Sequence, residues 1–504
     1  MKKHGRYSLL LISPRHAYRN MWTLKEVGHL VDKKVTSYPL ALPTIAAMTP
    51  DHYDIRLVDE EMEPVPFDEK PDLVGISSMV TNTGRAYEIA DRFRERGAAV
   101  VMGGPHTTLR SKESLDHADS VVVGEAEGLW EVLLEDFENN RLETMYKAKK
   151  RVSLGRVPIP RWDLVDTGQV LSLNVQISRG CPNACEFCCV TRMFGSRQRY
   201  RDIDNVVEEL KALPLKQVAF VDDNFTADKD YVRDLMRRMK PMGISWTCLA
   251  GVDVSNDREL LRDMADAGCN SILLGFESLN QQSLSEARKS QNRIEDYELT
   301  IQRIHRSGIH VIGAFVVGFD ADTLEAFDQI FAFADRNNIS YVMLNMLTAF
   351  PGTGLYRRMK KQGRLFDVSP ELLNGMFPSF RYKNMSEVDI FTTYFDTLER
   401  LYAFRDLRRK ALNVLGTGCF RRRNVGVGVA EKIAGVRSVF RELLLTRDGD
   451  KRRLLADLFR LGMTNIVTMD VVFEYLFFVT AANKYLENLG DIKNELLGKI
   501  AQFD

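Results

Sequence analysis

Residues 179–190 read RGCPNACEFCCV, and four of the chain's seven cysteines fall in this one stretch. Three chemistries use clustered cysteines: disulfides, zinc and iron–sulfur clusters. A disulfide framework belongs to short secreted chains, which 504 residues with an odd, clustered set of cysteines do not resemble. Structural zinc takes four ligands, commonly as two separated pairs. Here Cys181, Cys185 and Cys188 give C-x3-C-x2-C and Cys189 is an extra. Cys248, Cys269 and Cys419 are isolated and supply no second pair. Three soft thiolates suit a four-iron cluster with one iron left free of protein ligands, open to a substrate or cofactor.

The flanking sequence places this loop. Before it lies LSLNVQIS (171–178), and further β-type runs follow at 217–223, 244–251, 271–278, 310–319 and 340–347. Helical stretches such as 230–239 and 323–338 separate them. Six βα units with no hairpin signal predict a partial (β/α)6 barrel, with chemistry at the strand C-termini. The cysteines follow the first of these strands. Upstream, short apolar runs at 7–13, 53–61, 71–79, 97–106 and 119–128 alternate with helical stretches such as 83–95. They predict a doubly wound parallel sheet that binds ligands beyond its carboxyl strand ends. Its tips SPRH (13–16), SSMVTNTG (77–84), GGPH (103–106) and GEAE (124–127) then share one rim. Pro158 and Pro160 disfavour helix in 151–168, and helical periodicity takes over from about Gly363. The expected α/β organisation is a sheet domain over 1–148, a linker over 149–168, a barrel over 169–362 and a helical domain over 363–504.

Composition narrows the class. Hydrophobic residues make up 45% and charged residues 27%, and Lys+Arg balances Asp+Glu at 69 each. These values fit a globular enzyme, and no global basic excess points to nucleic acid. The N-terminus lacks the apolar length and cleavage site of a signal peptide, and no apolar run reaches membrane-spanning length. A reducing cytoplasm is the expected compartment.

CPNACEFC resembles the signature of the radical S-adenosylmethionine superfamily, in which an aromatic residue precedes the third cysteine, as Phe187 does. The resemblance implies a [4Fe-4S] cluster on Cys181, Cys185 and Cys188, with S-adenosylmethionine on the open iron. A 5′-deoxyadenosyl radical would then abstract hydrogen from an unactivated carbon. LLGFES (273–278) resembles the family's fourth-strand element, so Glu277 would bond the ribose; a solvated strand-end carboxylate is the plain alternative. GAFVVGF (313–319) resembles the fifth-strand motif near adenine, with Gly318 admitting the ligand or merely turning the chain. Asp222, Asp223 and Asn224 would line the same mouth. AFPGTGLY (349–356) resembles a segment that follows the sixth strand.

Residues 1–148 resemble the cobalamin-binding domain that precedes this barrel in one subgroup. Ser77, Ser78, Gly103, Gly104, Pro105, His106, Gly124 and Glu125 would meet the cofactor. The loop at 13–28 lacks D-x-H-x-x-G, so His16 is read as a loop residue and cobalamin as bound without a histidine below the metal. The full layout resembles cobalamin-binding radical enzymes with a DUF4070-type C-terminus, whose relatives include hopanoid methylases. It implies C-methylation of an unactivated carbon, on a lipid or other apolar small molecule. A radical cyclase or ring-rearrangement enzyme is the alternative. The implied partner is a reductant such as flavodoxin or ferredoxin. A methylthiotransferase would carry three more N-terminal cysteines, and residues 1–180 have none. A corrinoid or electron carrier would need neither the barrel mouth nor Glu277. Asp253, Lys289 and Asn292 stand as unranked general-base candidates. Basic clusters at 405–410, 421–423 and 451–453, with the apolar stretch 469–486, fit either a helix face packed on the barrel or peripheral contact with an anionic membrane.

Overall fold

Two parallel sheets organise the chain. The computed structural model describes residues 6–18, 33–155, 157–417, 445–463 and 469–500, with isolated positions between 419 and 441. The first sheet contains β1 (Tyr7–Ser13), β3 (Tyr53–Asp59), β4 (Leu73–Ser77), β5 (Ala99–Gly103), β6 (Ser120–Val123) and β7 (Met145–Lys147), in the order β3-β1-β4-β5-β6-β7. Every pair is parallel, with Leu9 opposite both Ile55 and Leu73. The continuous apolar run of β1 is explained by burial on both faces. Leu10 and Ile12 join Val74, Ile89 and Phe93 in one core, whereas Leu9 and Leu11 join Trp130 in a larger core that continues through the rest of the molecule. The period of two along a strand makes this division. Helix Thr83–Glu95 packs on the first of these faces through Ala86, Ile89, Ala90 and Phe93.

The second sheet holds the six expected strands: β8 (Val170–Val175), β11 (Gln217–Phe220), β12 (Ser245–Ala250), β13 (Cys269–Glu277), β14 (His310–Val317) and β15 (Tyr341–Met346). A seventh comes from the N-terminal region: β2 (Val35–Ser37) pairs parallel with β8, Val35 opposite Val170. Three residues are too few to show a period, which is why this strand is silent in the sequence. A small antiparallel ribbon, β9 (Ser178–Arg179) with β10 (Arg199–Tyr200), brackets the cysteine loop and was equally silent.

An open barrel leaves an edge, and edge strands need cover. Helices Glu387–Leu401 and Phe404–Leu415 supply it at β15. Tyr394 Oη donates to the Leu344 carbonyl (3.2 Å), and Tyr402 Oη donates to the Val342 carbonyl (2.7 Å). The basic clusters are largely engaged. Arg408 pairs with Asp457, Arg409 with Asp335, and Lys410 and Lys451 are buried. Residues 421–423, and most side chains of 469–486, lie outside the described residues. Within helix Met469–Ile500, Tyr475 is buried and bonds Ser340 Oγ. No helix among the described residues is long and apolar enough to cross a membrane.

Candidate active site

The cysteine loop leaves β9 at Gly180, whose φ of +94° favours glycine. A side chain there would meet the Arg197 carbonyl at 2.6 Å. The Cys181 N–H donates to the Gly195 carbonyl (3.3 Å), and the Cys188 N–H to the Cys185 carbonyl (3.2 Å). The segment 349–356 packs directly on the loop. The Leu355 N–H donates to the Glu186 carbonyl (3.0 Å), and a side chain at Gly354 would meet Glu186 Cγ at 2.8 Å. Arg358 then ties Glu186 (2.9 Å), Glu286 (2.7 Å) and Asp320 (3.1 Å) into one network. Phe187 meets Phe319 edge-on at 6.2 Å, joining the loop to the end of β14.

Cys181 is buried, and Cys185 and Cys188 are half-buried. Burial pushes all three thiols up. Among the described residues, no three His, Cys, Asp or Glu side chains gather around a single metal ion. The fit of the trio to a cluster therefore rests on donor chemistry: three soft sulfurs on one short loop.

Glu277 ends β13 in a bulge, with a φ of +64° that non-glycine residues rarely adopt. Such backbone costs about 1–3 kcal/mol and persists where surroundings over-determine it. They do so here: Asn292 Nδ2 donates to the Gly275 carbonyl (2.9 Å) and to that of Phe276 (3.1 Å), and Tyr297 Oη donates to Phe276 (2.8 Å). Lys289 Nζ donates to the Glu277 carboxylate. A side chain at Gly275 would fall 2.5 Å from that carboxylate and 2.7 Å from Nζ, so this glycine makes room for the pair. Burial works against the Lys289 charge, but Glu277 and Cys185 outweigh it and hold the ammonium above the ordinary lysine range. The structure thus separates the three base candidates: Asn292 supports backbone, Lys289 is an ion-pair partner near the thiols, and Asp253 is exposed.

The end of β11 adds carboxylates. Asp222 accepts from Ile177 N–H (3.1 Å), Ser178 N–H (2.5 Å) and Ser178 Oγ (2.7 Å), and burial pushes it up to about 7. It fastens β9 to β11. Asp223 is pushed up to about 6 by burial, and its Oδ2 is buried without a partner. Asn224 Oδ1 is likewise buried and unpartnered. At Gly318 (φ +119°) the space of a side chain is taken by Tyr382, 2.4 Å from the would-be Cβ, and the Gly318 N–H donates to Asp322 (3.0 Å). Packing therefore accounts for this glycine.

The first sheet presents its rim to the same region. Gly103 ends β5, and the Ser78 N–H donates to its carbonyl (3.1 Å). Gly104 (φ +92°) lies so close to Ser78 that a Cβ would meet the Ser78 carbonyl at 2.7 Å, near Ser77 Oγ. Gly124 (φ +95°) has open space where a side chain would be. Ser78 Oγ is buried without a partner. This backbone-lined rim fits the close approach of a flat cofactor. Two residues expected at the cofactor have other duties. The His106 ring is buried, bonded to Tyr87 Oη (3.1 Å) and Glu113 (3.1 Å), beneath the helix that Pro105 opens. Glu125 accepts from Arg179 (2.9 Å) and Arg199 (3.0 Å). Arg179 also pairs with Glu127 (2.6 Å), so the β6 tip is clamped to the ribbon beside the cysteines. Sequence reasoning missed this clamp, because its partners stand far apart in the chain. His16 Nδ1 lies 2.9 Å from Thr81 Oγ1, and residues 19–28 of its loop lie outside the described residues.

Comparison with known proteins agrees with both halves. Residues 175–334 match the Radical SAM superfamily and residues 33–134 match the B12 binding domain. Bacteriochlorophyllide d C-12(1)-methyltransferase of Chlorobaculum tepidum is 30% identical over 71% of this chain and 83% of its own length. Hopanoid C-2 methylase of Rhodopseudomonas palustris is 26% identical over 71% of each chain. In fold, the chain is similar to the radical S-adenosylmethionine methyltransferase TsrM of Kitasatospora setae, solved with cobalamin and a [4Fe-4S] cluster. That likeness has a TM-score of 0.60 at 16% identity and covers 79% of this chain and 89% of the other. With a thiol trio at one rim and a B12-type rim beside it, the chain belongs to the cobalamin-dependent radical S-adenosylmethionine methyltransferases, enzymes of the radical SAM superfamily.

Proposed function

We propose that this enzyme methylates an unactivated carbon of an apolar, ring-bearing small molecule. When bound, the cluster, S-adenosylmethionine and cobalamin supply one-electron cleavage of a carbon–sulfur bond, hydrogen abstraction and a transferable methyl group. The chain's own residues position these groups. Cys181, Cys185 and Cys188 hold the cluster. Glu277, kept in place by Lys289 and the Asn292–Tyr297 support, accepts from the ribose hydroxyls. Phe187 and Asn224 face the same ligand, and the Gly318 turn shapes the wall through Tyr382. Ser77, Ser78, Gly103, Gly104 and Gly124 would seat the corrin by backbone approach. Pro105, His106 and Glu125 stiffen that rim from behind.

The observation that carries this reading is the Glu277–Lys289 pair set beside the thiol loop, because it joins a carboxylate on strained backbone to the loop that carries Cys181, Cys185 and Cys188. The apolar substrate class draws on the relatives named for bacteriochlorophyllide and hopanoid methylation. Exposed apolar side chains at two strand ends, Met79 after β4 and Val221 after β11, agree with it. A small redox protein such as flavodoxin or ferredoxin serves as electron donor. Helices Glu387–Leu401 and Phe404–Leu415 serve as cover for the barrel edge, which supports the packed-helix reading of this region over the membrane-surface one.

The test is incubation of anoxically reconstituted enzyme with methyl-labelled S-adenosylmethionine and an extract from a deletion strain. Label in a new apolar product, with 5′-deoxyadenosine formed alongside, is expected. An unlabelled product with a new ring would favour the cyclase reading. Salt-sensitive sedimentation with anionic liposomes would overturn the assignment of the C-terminal helices.

A further inference from the structure

We propose that a basic face on the outer side of the cysteine loop is the docking surface for a small acidic one-electron carrier protein. The inference rests on the cluster proposed above. Its parts come from two domains. From the last residue of the edge strand β7, the run KAKKR (147–151) leaves Lys147, Lys149, Lys150 and Arg151 exposed. Arg151 reaches the cysteine loop, where its guanidinium donates to the Met193 carbonyl. Gly195 makes that approach possible: a side chain there would lie 2.6 Å from Arg151 Nε. Arg192 and Arg197 are exposed on the same loop.

None of these six cations is ion-paired among the described residues. The contrast with their neighbours is sharp. Arg179 and Arg199, on the ribbon, are half-buried and neutralised by Glu125 and Glu127. Over the whole chain acids and bases cancel at 69 each. Arg151 and Arg197 line one hollow, and with exposed Lys149 and Lys150 just before Arg151 in the chain they make a local positive field, which attracts an acidic partner and raises its encounter rate. Between Arg151, Arg197, Arg199 and Tyr200 lies an open hollow of about 610 Å³, able to receive a projecting part of that partner.

Position selects an electron carrier. The Gly195 carbonyl, at the centre of this face, accepts from the Cys181 N–H at 3.3 Å. The face is thus one backbone hydrogen bond from the first cysteine, and electron transfer falls steeply with distance. In the step proposed, a flavodoxin hydroquinone docked here is oxidised to the semiquinone, and the oxidised cluster is reduced by one electron.

The experiment compares two donors on the full-length, reconstituted protein. Reduced bacterial flavodoxin is the probe, and the methyl viologen radical cation is the small control donor. The double variant Lys150→Glu/Arg197→Glu is expected to slow flavodoxin-driven cluster reduction about tenfold or more. Its iron content and its viologen-driven rate should stay at the parent's level. The neutral pair Lys150→Gln/Arg197→Gln should fall between. Added salt should slow the flavodoxin reaction of the parent more than that of the double variant. Flavodoxin-driven rates indifferent to charge reversal would overturn the docking face alone. So would equal slowing with both donors, which indicates damage to the loop. Absence of S-adenosylmethionine cleavage with either donor in the parent would overturn the proposed function, and this inference with it.

Discussion

The two rims are built from different materials. The barrel rim is made of side chains: three thiols, the Glu277–Lys289 pair and the Arg358 network with Glu186, Glu286 and Asp320. The rim of the first sheet is made of backbone, with Gly103, Gly104 and Gly124 at the surface and Ser78 buried beneath them. Its ionisable side chains are turned to structural duty in His106 and Glu125. A cluster and a charged sulfonium ligand need directed donors and charges. A flat corrin needs surfaces that come close. Truncating a side chain should therefore damage the barrel rim, and adding a methyl group should damage the other.

The largest effect is expected at the thiols. Cys185→Ala should abolish cluster absorbance and 5′-deoxyadenosine formation while the thermal transition stays near the parent's. The loop is held by Gly180, Gly195 and Glu186 contacts that do not involve sulfur. Cys189→Ala should retain the cluster, since its described contacts are backbone ones to Arg192 and Met193. A variant at Cys185 that still binds iron and sulfide would break the side-chain account of this rim.

Next is the clamp that joins the rims. Arg179→Ala strands half-buried Glu127 and half-strips buried Glu125, and removing one partner of a buried pair costs about 3–5 kcal/mol, the upper limit here. Its pH dependence has a definite sign. Burial pushes Glu127 up, but Arg179 outweighs it and holds the carboxyl below its ordinary value. That contribution is complete above an ordinary glutamate pKa of about 4.5 and is lost as the pH falls through the depressed value. The gap in melting temperature between parent and Arg179→Ala should therefore narrow at acid pH. A gap that is constant with pH would show that the clamp does not act through this ion pair.

This contrast also explains what was legible in the sequence. Helix Thr83–Glu95 and the long strands of both sheets could be read, since period and length are local properties. The cysteine spacing was legible for the same reason. Val35–Ser37 and the Ser178–Arg179 ribbon were not, because two or three residues have no period. Contacts across the chain were hidden: nothing near Glu125 announces Arg179, 54 residues on. One signal could have been used. The glycine of LLGFES, Gly275, is needed because Glu277 and Lys289 meet over it, so a glycine two before a strand-end acid hints at an ion pair. Gly318 misled in the opposite direction, since its open-looking side is filled by Tyr382 from the C-terminal region.

Smaller again is the effect at Glu277. Glu277→Gln should weaken S-adenosylmethionine binding about 10- to 100-fold, the range of a charged hydrogen bond, by equilibrium dialysis on the reconstituted protein. Lys289→Met should weaken it too, and Lys289→Arg should recover part. Glu277→Gly separates strain from function: it loses the Lys289 pair just as Glu277→Ala does but relieves the φ of +64°, so it should melt above Glu277→Ala, yet binding should fall as far as in Glu277→Gln. If Glu277→Gly bound S-adenosylmethionine like the parent, the carboxylate would be only a partner for Lys289.

The smallest changes, single methyl groups, are the sharpest test of the other rim. Gly104 and Gly124 have nearly the same φ, +92° and +95°, so an alanine at either carries a similar backbone strain of about 1–2 kcal/mol. Their surroundings differ. A Cβ on Gly104 meets the Ser78 carbonyl and nitrogen at 2.7 and 2.9 Å, and backbone cannot yield cheaply. A Cβ on Gly124 meets nothing within 4 Å. Gly104→Ala should therefore lower the melting temperature clearly more than Gly124→Ala. If the open space over Gly124 is where the corrin lies, the order reverses in the cofactor's absorbance titration. There Gly124→Ala should lose cobalamin affinity out of proportion to its small loss of stability. Equal affinity in parent and Gly124→Ala would remove this glycine from the corrin seat and leave Ser78 and Gly104 as the backbone surface on that side.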